Sequence, residues 1–168
     1  MNDVHFSSIS DEWETPLELF KKFNDIYDFQ LDAAATKENA LCPNFFSKEF
    51  DALQQNWAPY GKVWLNPPYG RQIGKFIKKA YEESVKGCIV VCLIPARTDT
   101  KWWYDYVTKS SEIIFITGRI KFINKTLPSY KSDGNFKTSP APFPSAIVIF
   151  DPSILGIPTM ICKKQKDL

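Results

Sequence analysis

Apolar and polar positions follow two rhythms along this chain, and they predict where strands and helices lie. Residues 88–94 are continuously apolar, the pattern of a strand buried on both faces, and Pro95 stops the run. Residues 62–65, 113–116 and 146–150 read as further strands, the last being the last strong one in the chain, and 29–33 and 45–46 as shorter ones. Between them, Ile73, Phe76, Ile77, Ala80 and Tyr81 recur at helical spacing, which predicts a helix over 72–84 that Gly87 ends. An earlier helix opens with Thr15 as N-cap, Pro16 at its first position and Glu18 in its first turn, with Leu17, Phe20 and Phe23 as its apolar face. Residues 51–53 begin a short helical or irregular segment, and 102–107 suggest one more helix. Residues 124–144, rich in Pro, Ser, Gly, Lys and Asn, read as a long loop. Strands alternating with helices predict a single α/β domain over 1–168, built on an open sheet.

In such a sheet ligands bind beyond the carboxyl ends of the strands. Asp32, Asn66 and Pro95 each stand where a predicted strand ends, so they are expected along one rim. The strand over 62–65 runs directly into Asn66-Pro67-Pro68-Tyr69. Two prolines stiffen that turn and remove two backbone donors. They leave the Asn66 side-chain oxygen and the Pro67 carbonyl as neighbouring acceptors, a match for an –NH2 group with two hydrogens to give. Gripping both hydrogens of an aromatic amine favours a pyramidal nitrogen, aims its lone pair outward and stabilises the positive charge that develops as it is alkylated. Tyr69 offers an aromatic face for an unstacked base, and Gly70 permits close approach. The competing reading is plain punctuation after a strand, or a PPxY-like ligand for another domain; the strand before and the helix after favour a site.

Composition narrows the chemistry. The chain has 168 residues, 44% hydrophobic and 15% aromatic, with a net charge of only +2, so any polyanion contact must come from a local patch. His5 is the single histidine, which excludes histidine-based zinc sites and Ser-His-Asp triads and implies no metal. The four cysteines, Cys42, Cys88, Cys92 and Cys162, form no CxxC pair and suit buried free thiols in a reducing intracellular setting. No apolar run approaches a membrane span.

The order of short motifs from about residue 11 to 151 resembles the phage-type DNA N-6-adenine methyltransferase family, often called phage Dam. The resemblance is carried by Asp11-Glu12-Trp13-Glu14-Thr15-Pro16, Leu31-Asp32-Ala33-Ala34, Phe45-Phe46, Asp51-Ala52-Leu53, Trp57 and Val63-Trp64-Leu65-Asn66-Pro67-Pro68-Tyr69-Gly70. It continues with Leu93-Ile94-Pro95-Ala96-Arg97-Thr98-Asp99-Thr100, Trp102-Trp103, Gly118-Arg119-Ile120-Lys121-Phe122 and Ala141-Pro142-Phe143-Pro144-Ser145. It implies a compact class I, Rossmann-like methyltransferase fold with a single mostly parallel sheet flanked by helices. It implies S-adenosylmethionine as cofactor, double-stranded DNA as substrate, and a phage- or prophage-encoded protein of the bacterial cytoplasm; a monomer suits the short chain. Asn66, Pro67, Pro68 and Tyr69 match the catalytic motif. Trp13, Thr15 and Pro16 resemble the segment that closes over the cofactor, Asp32 with Ala33 and Ala34 the first cofactor motif, and Asp51 the acid that accepts from the cofactor adenine, with Asn66 beside them. Two departures stand out. Ala33-Ala34-Ala35 replaces the Gly-rich turn common in methyltransferases, and the motif begins with Asn, not Asp. The Asn form also occurs in enzymes that methylate protein glutamine or RNA bases, and a catalytically silent DNA-binding or structural phage protein of the same fold is a further alternative.

Each residue also has a plainer role. Asp32 can cap a turn, Asp51 can join Lys48 and Glu49 on a solvated face, and Trp13 can be core. Arg97 and Lys101 flank a rim turn where a phosphate can bind, or are surface charges. Trp102 and Trp103 suit core and interface better than a DNA wedge. Phe122, after Arg119 and Lys121, is a candidate second wall for the base. Lys125, Lys131 and Lys137 interleave with Tyr130 and Phe136 in the 124–144 loop, a pattern that suits DNA groove contact or a merely polar loop.

Overall fold

The computed structural model describes residues 13–123 and 140–168. One seven-stranded sheet organises them: β1 (Leu31–Asp32), β2 (Asn44–Phe45), β3 (Lys62–Leu65), β4 (Ile89–Pro95), β5 (Glu112–Thr117), β6 (Ser145–Phe150) and β7 (Thr159–Lys164). Their spatial order is β2-β1-β3-β4-β6-β5-β7. The β1–β2, β1–β3, β3–β4 and β5–β7 pairs are parallel, while β6 runs antiparallel to both β4 and β5. Six strands therefore point one way and β6 the other, a mixed sheet of the Rossmann-like methyltransferase type. No helix among the described residues is long and apolar enough to cross a membrane.

Three helices flank the sheet: α1 (Leu17–Tyr27), α2 (Ile73–Val85) and α3 (Lys101–Asp105). Phe20 and Phe23 of α1 pack on the Trp64 ring, with centroids 5.4 and 6.2 Å away. Tyr81 of α2 meets Phe150 edge-on at 6.2 Å. Registered partners share a face and neighbours along a strand alternate. Trp64 lies in register with Val91 and then Ile149, whereas Phe150 lies in register with Val90 and then Val63. The two helices thus cover opposite faces. Cys42, Cys88 and Cys92 are buried among these layers and Cys162 is exposed. Burial pushes the Cys42 and Cys88 thiols up to about 12 and the Cys92 thiol higher still.

Several boundaries differ from the sequence expectation. α1 begins one residue later, with Pro16 as its N-cap, because the Thr15 hydroxyl is engaged elsewhere and caps nothing. Leu19 takes the core position expected of Leu17, which is 48% exposed. β1 is only two residues long, although Phe29 before it is still buried. The second strand is displaced by one residue, and the helix over 102–107 is a five-residue α3 followed by a tight turn at Val107–Lys109. β7 was not expected: its apolar run is only Met160-Ile161-Cys162, and as an edge strand it keeps most of its side chains exposed. Trp103 is buried and stacks on Phe115 at 6.2 Å, so the tryptophan pair is packing at α3.

Glu83, on the last turn of α2, is the one fully buried carboxylate among the described residues. It accepts from Lys79 and Lys86 at 2.8 Å each, and from the backbone N–H of Trp57 at 2.8 Å and Ala58 at 3.0 Å. It thereby ties α2 to the turn at Ala58–Tyr60 that feeds β3. Burial raises its pKa, but the two lysines and two N–H groups outweigh that and hold it at about 2, below the ordinary 4.5. A depressed carboxylate stabilises the fold fully above pH 4.5, and that contribution is lost as pH falls toward about 2. Glu83→Ala is expected to cost about 3–5 kcal/mol, because it leaves the Trp57 and Ala58 N–H groups without an acceptor and the mostly buried Lys79 ammonium without its partner. Urea titration at neutral pH measures this loss, and the variant should also lose part of the acid-unfolding arm between those two pH values.

Candidate active site

The sheet changes direction at β1. The chain moves outward from β1 to β2, crosses back to β3 on the other side, and continues outward to β4. An open α/β sheet forms its ligand crevice at such a switch point, beyond the carboxyl ends of the strands. A cavity of about 950 Å³ lies there, lined by Trp13 and Thr15, by Asp32, Ala33 and Ala34 after β1, by Asp51, and by Asn66, Pro67 and Pro68 after β3. Nine predicted site residues from four separate stretches are thus brought to one space. Phe46, Leu41, Leu53, Gln72 and Lys75 also line it and were not predicted; Phe46 and Leu53 stood only within motif strings.

Asn66 is the most constrained polar group in the cavity. Its Nδ2 donates to the Trp13 carbonyl at 2.5 Å and to the Thr15 hydroxyl at 2.9 Å. Its Oδ1 is buried and accepts from no protein group. A buried oxygen without a donor costs about 1–3 kcal/mol, so it stands ready for a ligand N–H.

Tyr69 lies behind the cavity wall. It is only 2% exposed, donates its hydroxyl to the Leu93 carbonyl at 3.1 Å, and packs edge-on against Phe122 and Phe143 at 6.0 and 5.3 Å. Trp13 meets the same two phenylalanines at 5.8 and 5.3 Å. Phe122 is buried within this aromatic cluster, and Phe143 joins it from the segment just before β6. Neither Tyr69 nor Phe122 presents a free face to the cavity in this arrangement. The burial of a Tyr at a strand-end turn carries no sequence signal, since its neighbours are distant in the chain.

Asp32 is 4% exposed and accepts from the backbone N–H of Leu41 at 3.2 Å and Ala34 at 3.5 Å. It both caps its turn and lines the cavity. Desolvation dominates over those bonds and pushes its carboxyl up to about 6. Asp51 is exposed, sits in the left-handed region at φ 41°, and caps the turn at Ala52–Gln54 by accepting from Leu53 N–H at 3.2 Å. Pro16 lies outside the lining, where its carbonyl accepts from Leu19 and Phe20.

Arg97, Lys101, Arg119 and Lys121 are all exposed. Arg97 Nη1 donates to the Tyr69 carbonyl at 3.1 Å, which ties the turn after β4 to the turn after β3. Lys101 pairs with Asp105 at 2.7 Å across one turn of α3. Lys125 and Lys131, with Tyr130, Phe136 and Lys137, lie outside the described residues.

The family model for DNA N-6-adenine-methyltransferase (Dam) matches residues 5–166. The chain belongs to this family. A DNA N-6-adenine-methyltransferase of Haemophilus phage HP1 (strain HP1c1) is 33% identical over 150 residues, covering 86% of this chain and 81% of the relative. A protein of the same name from Escherichia phage T1 is 37% identical over 110 residues, 65% of this chain, and the match spans only 46% of that longer relative. A putative methyltransferase of Escherichia coli (strain K12) is 31% identical over 67 residues, 36% of this chain and 74% of the relative.

Methyl transfer in this family implies a sulfonium cofactor bearing an amino-acid ammonium. The donor set fits such a group, because Asp32 is a buried carboxylate that accepts from two backbone N–H groups and has no cationic partner among the described residues, and burial holds its pKa up in a way that a cation would relieve. The sign of that shift makes a prediction. A carboxyl raised from 3.8 to about 6 makes the fold less stable as pH climbs through that window. Asp32→Asn is therefore expected to flatten this loss of stability with rising pH, while its single oxygen can accept from only one of the Leu41 and Ala34 N–H groups. The same substitution should weaken cofactor binding at least tenfold, since a charge-assisted bond is lost. Thermal unfolding with and without cofactor, together with calorimetric titration, tests both halves.

Proposed function

We propose that this chain transfers a methyl group from S-adenosylmethionine to the exocyclic amine of an adenine in double-stranded DNA. The observation that carries this reading is the unpartnered Asn66 Oδ1, fixed at a diproline turn inside the cavity at the β1/β3 switch point. When bound, the cofactor supplies an electrophilic methyl on a sulfonium. Asp32 would pair with its ammonium, Asp51 would accept from its adenine amine, and Trp13, Thr15, Ala33 and Ala34 would wall it in.

Asn66 Oδ1 accepts one hydrogen of the target amine, and the Pro67 carbonyl accepts the other. The pair favours a pyramidal nitrogen with its lone pair aimed at the methyl. As the new N–C bond forms, the S–C bond breaks and its electron pair stays on sulfur. The positive charge that grows on the amine is met by two fixed oxygen dipoles. The alkylated amine is acidic and gives up its extra proton to solvent, so no histidine is needed. The base must leave its stack to reach this site, and we assign Tyr69, packed against Phe122 and Phe143 behind the cavity wall, as the aromatic surface that receives it. For Tyr69 to stack on the base, that cluster must open. Arg97, Lys101, Arg119 and Lys121 would supply cationic groups for backbone phosphates, together with Lys125 and Lys131, which lie outside the described residues.

Transfer of labelled methyl into duplex DNA, RNA and a bulk protein substrate in parallel tests the substrate class; label in the DNA arm alone is expected. Plasmid from cells expressing the protein should resist adenine-methylation-sensitive nucleases at particular sites. Asn66→Ala should lower the single-turnover rate at saturating cofactor about 10²–10³-fold. Retained nuclease protection in that variant contradicts the role given to Asn66.

A further inference from the structure

The segment before α1 does more than line the cavity. A carboxamide can present either its oxygen or its nitrogen after a half-turn about its terminal torsion, and only the oxygen can grip an –NH2 group. We propose that the Trp13 carbonyl selects the reactive orientation of the Asn66 carboxamide, that the Thr15 hydroxyl is a positioning group that steadies it, and that the Trp13 contact is why the motif in this chain requires Asn. The inference rests on the methyl-transfer reading only for its consequence in rate.

The two partners act differently. The Thr15 hydroxyl can donate or accept, so alone it would tolerate either orientation. The Trp13 carbonyl can only accept. Rotated by half a turn, Asn66 would set Oδ1 against that carbonyl at the separation Nδ2 now occupies, with two lone-pair carriers facing each other and no hydrogen between them. Both hydrogens of Nδ2 are consumed in the observed orientation, and Oδ1 is the atom left over.

The carbonyl is itself held in place. The Trp13 ring packs edge-on to Phe122 and Phe143, and the next residue forms a two-bond bridge with the chain after Phe122: Glu14 N–H to Ile123 O at 3.0 Å and Ile123 N–H to Glu14 O at 3.2 Å. Thr15 is buried, so water does not compete for its hydroxyl.

An unexpected consequence concerns Asn66→Asp. The carboxylate keeps an acceptor of the same size and adds a negative charge, which by itself would aid alkylation of the amine. Here it removes the donor that the Trp13 carbonyl accepts from, so the segment is pushed away and the acceptor loses its aim.

Nuclear magnetic resonance of the wild-type protein tests the contact without reference to activity. The Asn66 side-chain amide protons should show through-space cross-peaks to both Trp13 and Thr15, and their absence overturns the proposal. Single-turnover methylation of DNA at saturating cofactor and substrate tests the consequence. Thr15→Val should slow the step about tenfold, Thr15→Ser should restore most of the rate, and Asn66→Asp should lose about a hundredfold. An Asn66→Asp rate within threefold of wild type, or a Thr15→Val defect confined to KM, overturns the assignment. A wild-type protein that shows the cross-peaks but labels no DNA would defeat the methyl-transfer reading and leave the amide orientation standing.

Discussion

The hydrogen-bonding of one carboxamide organises this site. Asn66 spends both amide hydrogens on the segment before α1 and keeps one buried oxygen unpaired. A fold ordinarily avoids such an oxygen, because burial without a donor is unfavourable. It persists here because it is over-determined: β3 fixes the backbone on one side, two prolines stiffen the other, and Trp13 and Thr15 hold the amide itself. Strain of this kind, placed in a cavity, amounts to preorganisation, since the cost is met during folding and is recovered when a ligand donates.

The sheet supplies the frame. Reversal of chain direction at β1 opens the crevice between the ends of β1 and β3, and Asp32 and Asn66 occupy those two ends. Asp32 repeats the logic of Asn66 in a charged form. It is buried beyond what its two N–H donors offset, and its raised pKa records the deficit. Both groups are less comfortable in the protein than they would be with a ligand, and they line the same cavity. Glu83 shows the opposite case. It is as buried as either, yet four donors satisfy it, its pKa falls, and it serves the fold by fastening α2 to the turn before β3.

A third layer links neighbouring strand-end turns. Arg97 after β4 holds the Tyr69 carbonyl after β3, the Tyr69 hydroxyl reaches Leu93 within β4, and Phe143 before β6 closes on Tyr69 and Trp13. The Asn66–Tyr69 turn, the segment before α1 and the segment preceding β6 are therefore one packed unit.

The sequence by itself determined the α/β class, the four apolar strands from β3 to β6 and the helix α2, because each is written in a local period of apolar residues. It also placed Asp32 and Asn66 on one rim, since both stand at strand ends and strands in such sheets share a direction. The tertiary structure alone decided the rest. The mostly exposed edge strand β7 and the two-residue β1 carry no period long enough to read. The burial of Tyr69 and Phe122, the capture of the Thr15 hydroxyl by Asn66 rather than by its own helix, and the grip of Arg97 on a backbone carbonyl join residues 28 to 53 positions apart. Local periodicity reports which face of an element is apolar. It is silent on which distant polar atom a side chain will find, and in this protein that choice leaves one amide oxygen free.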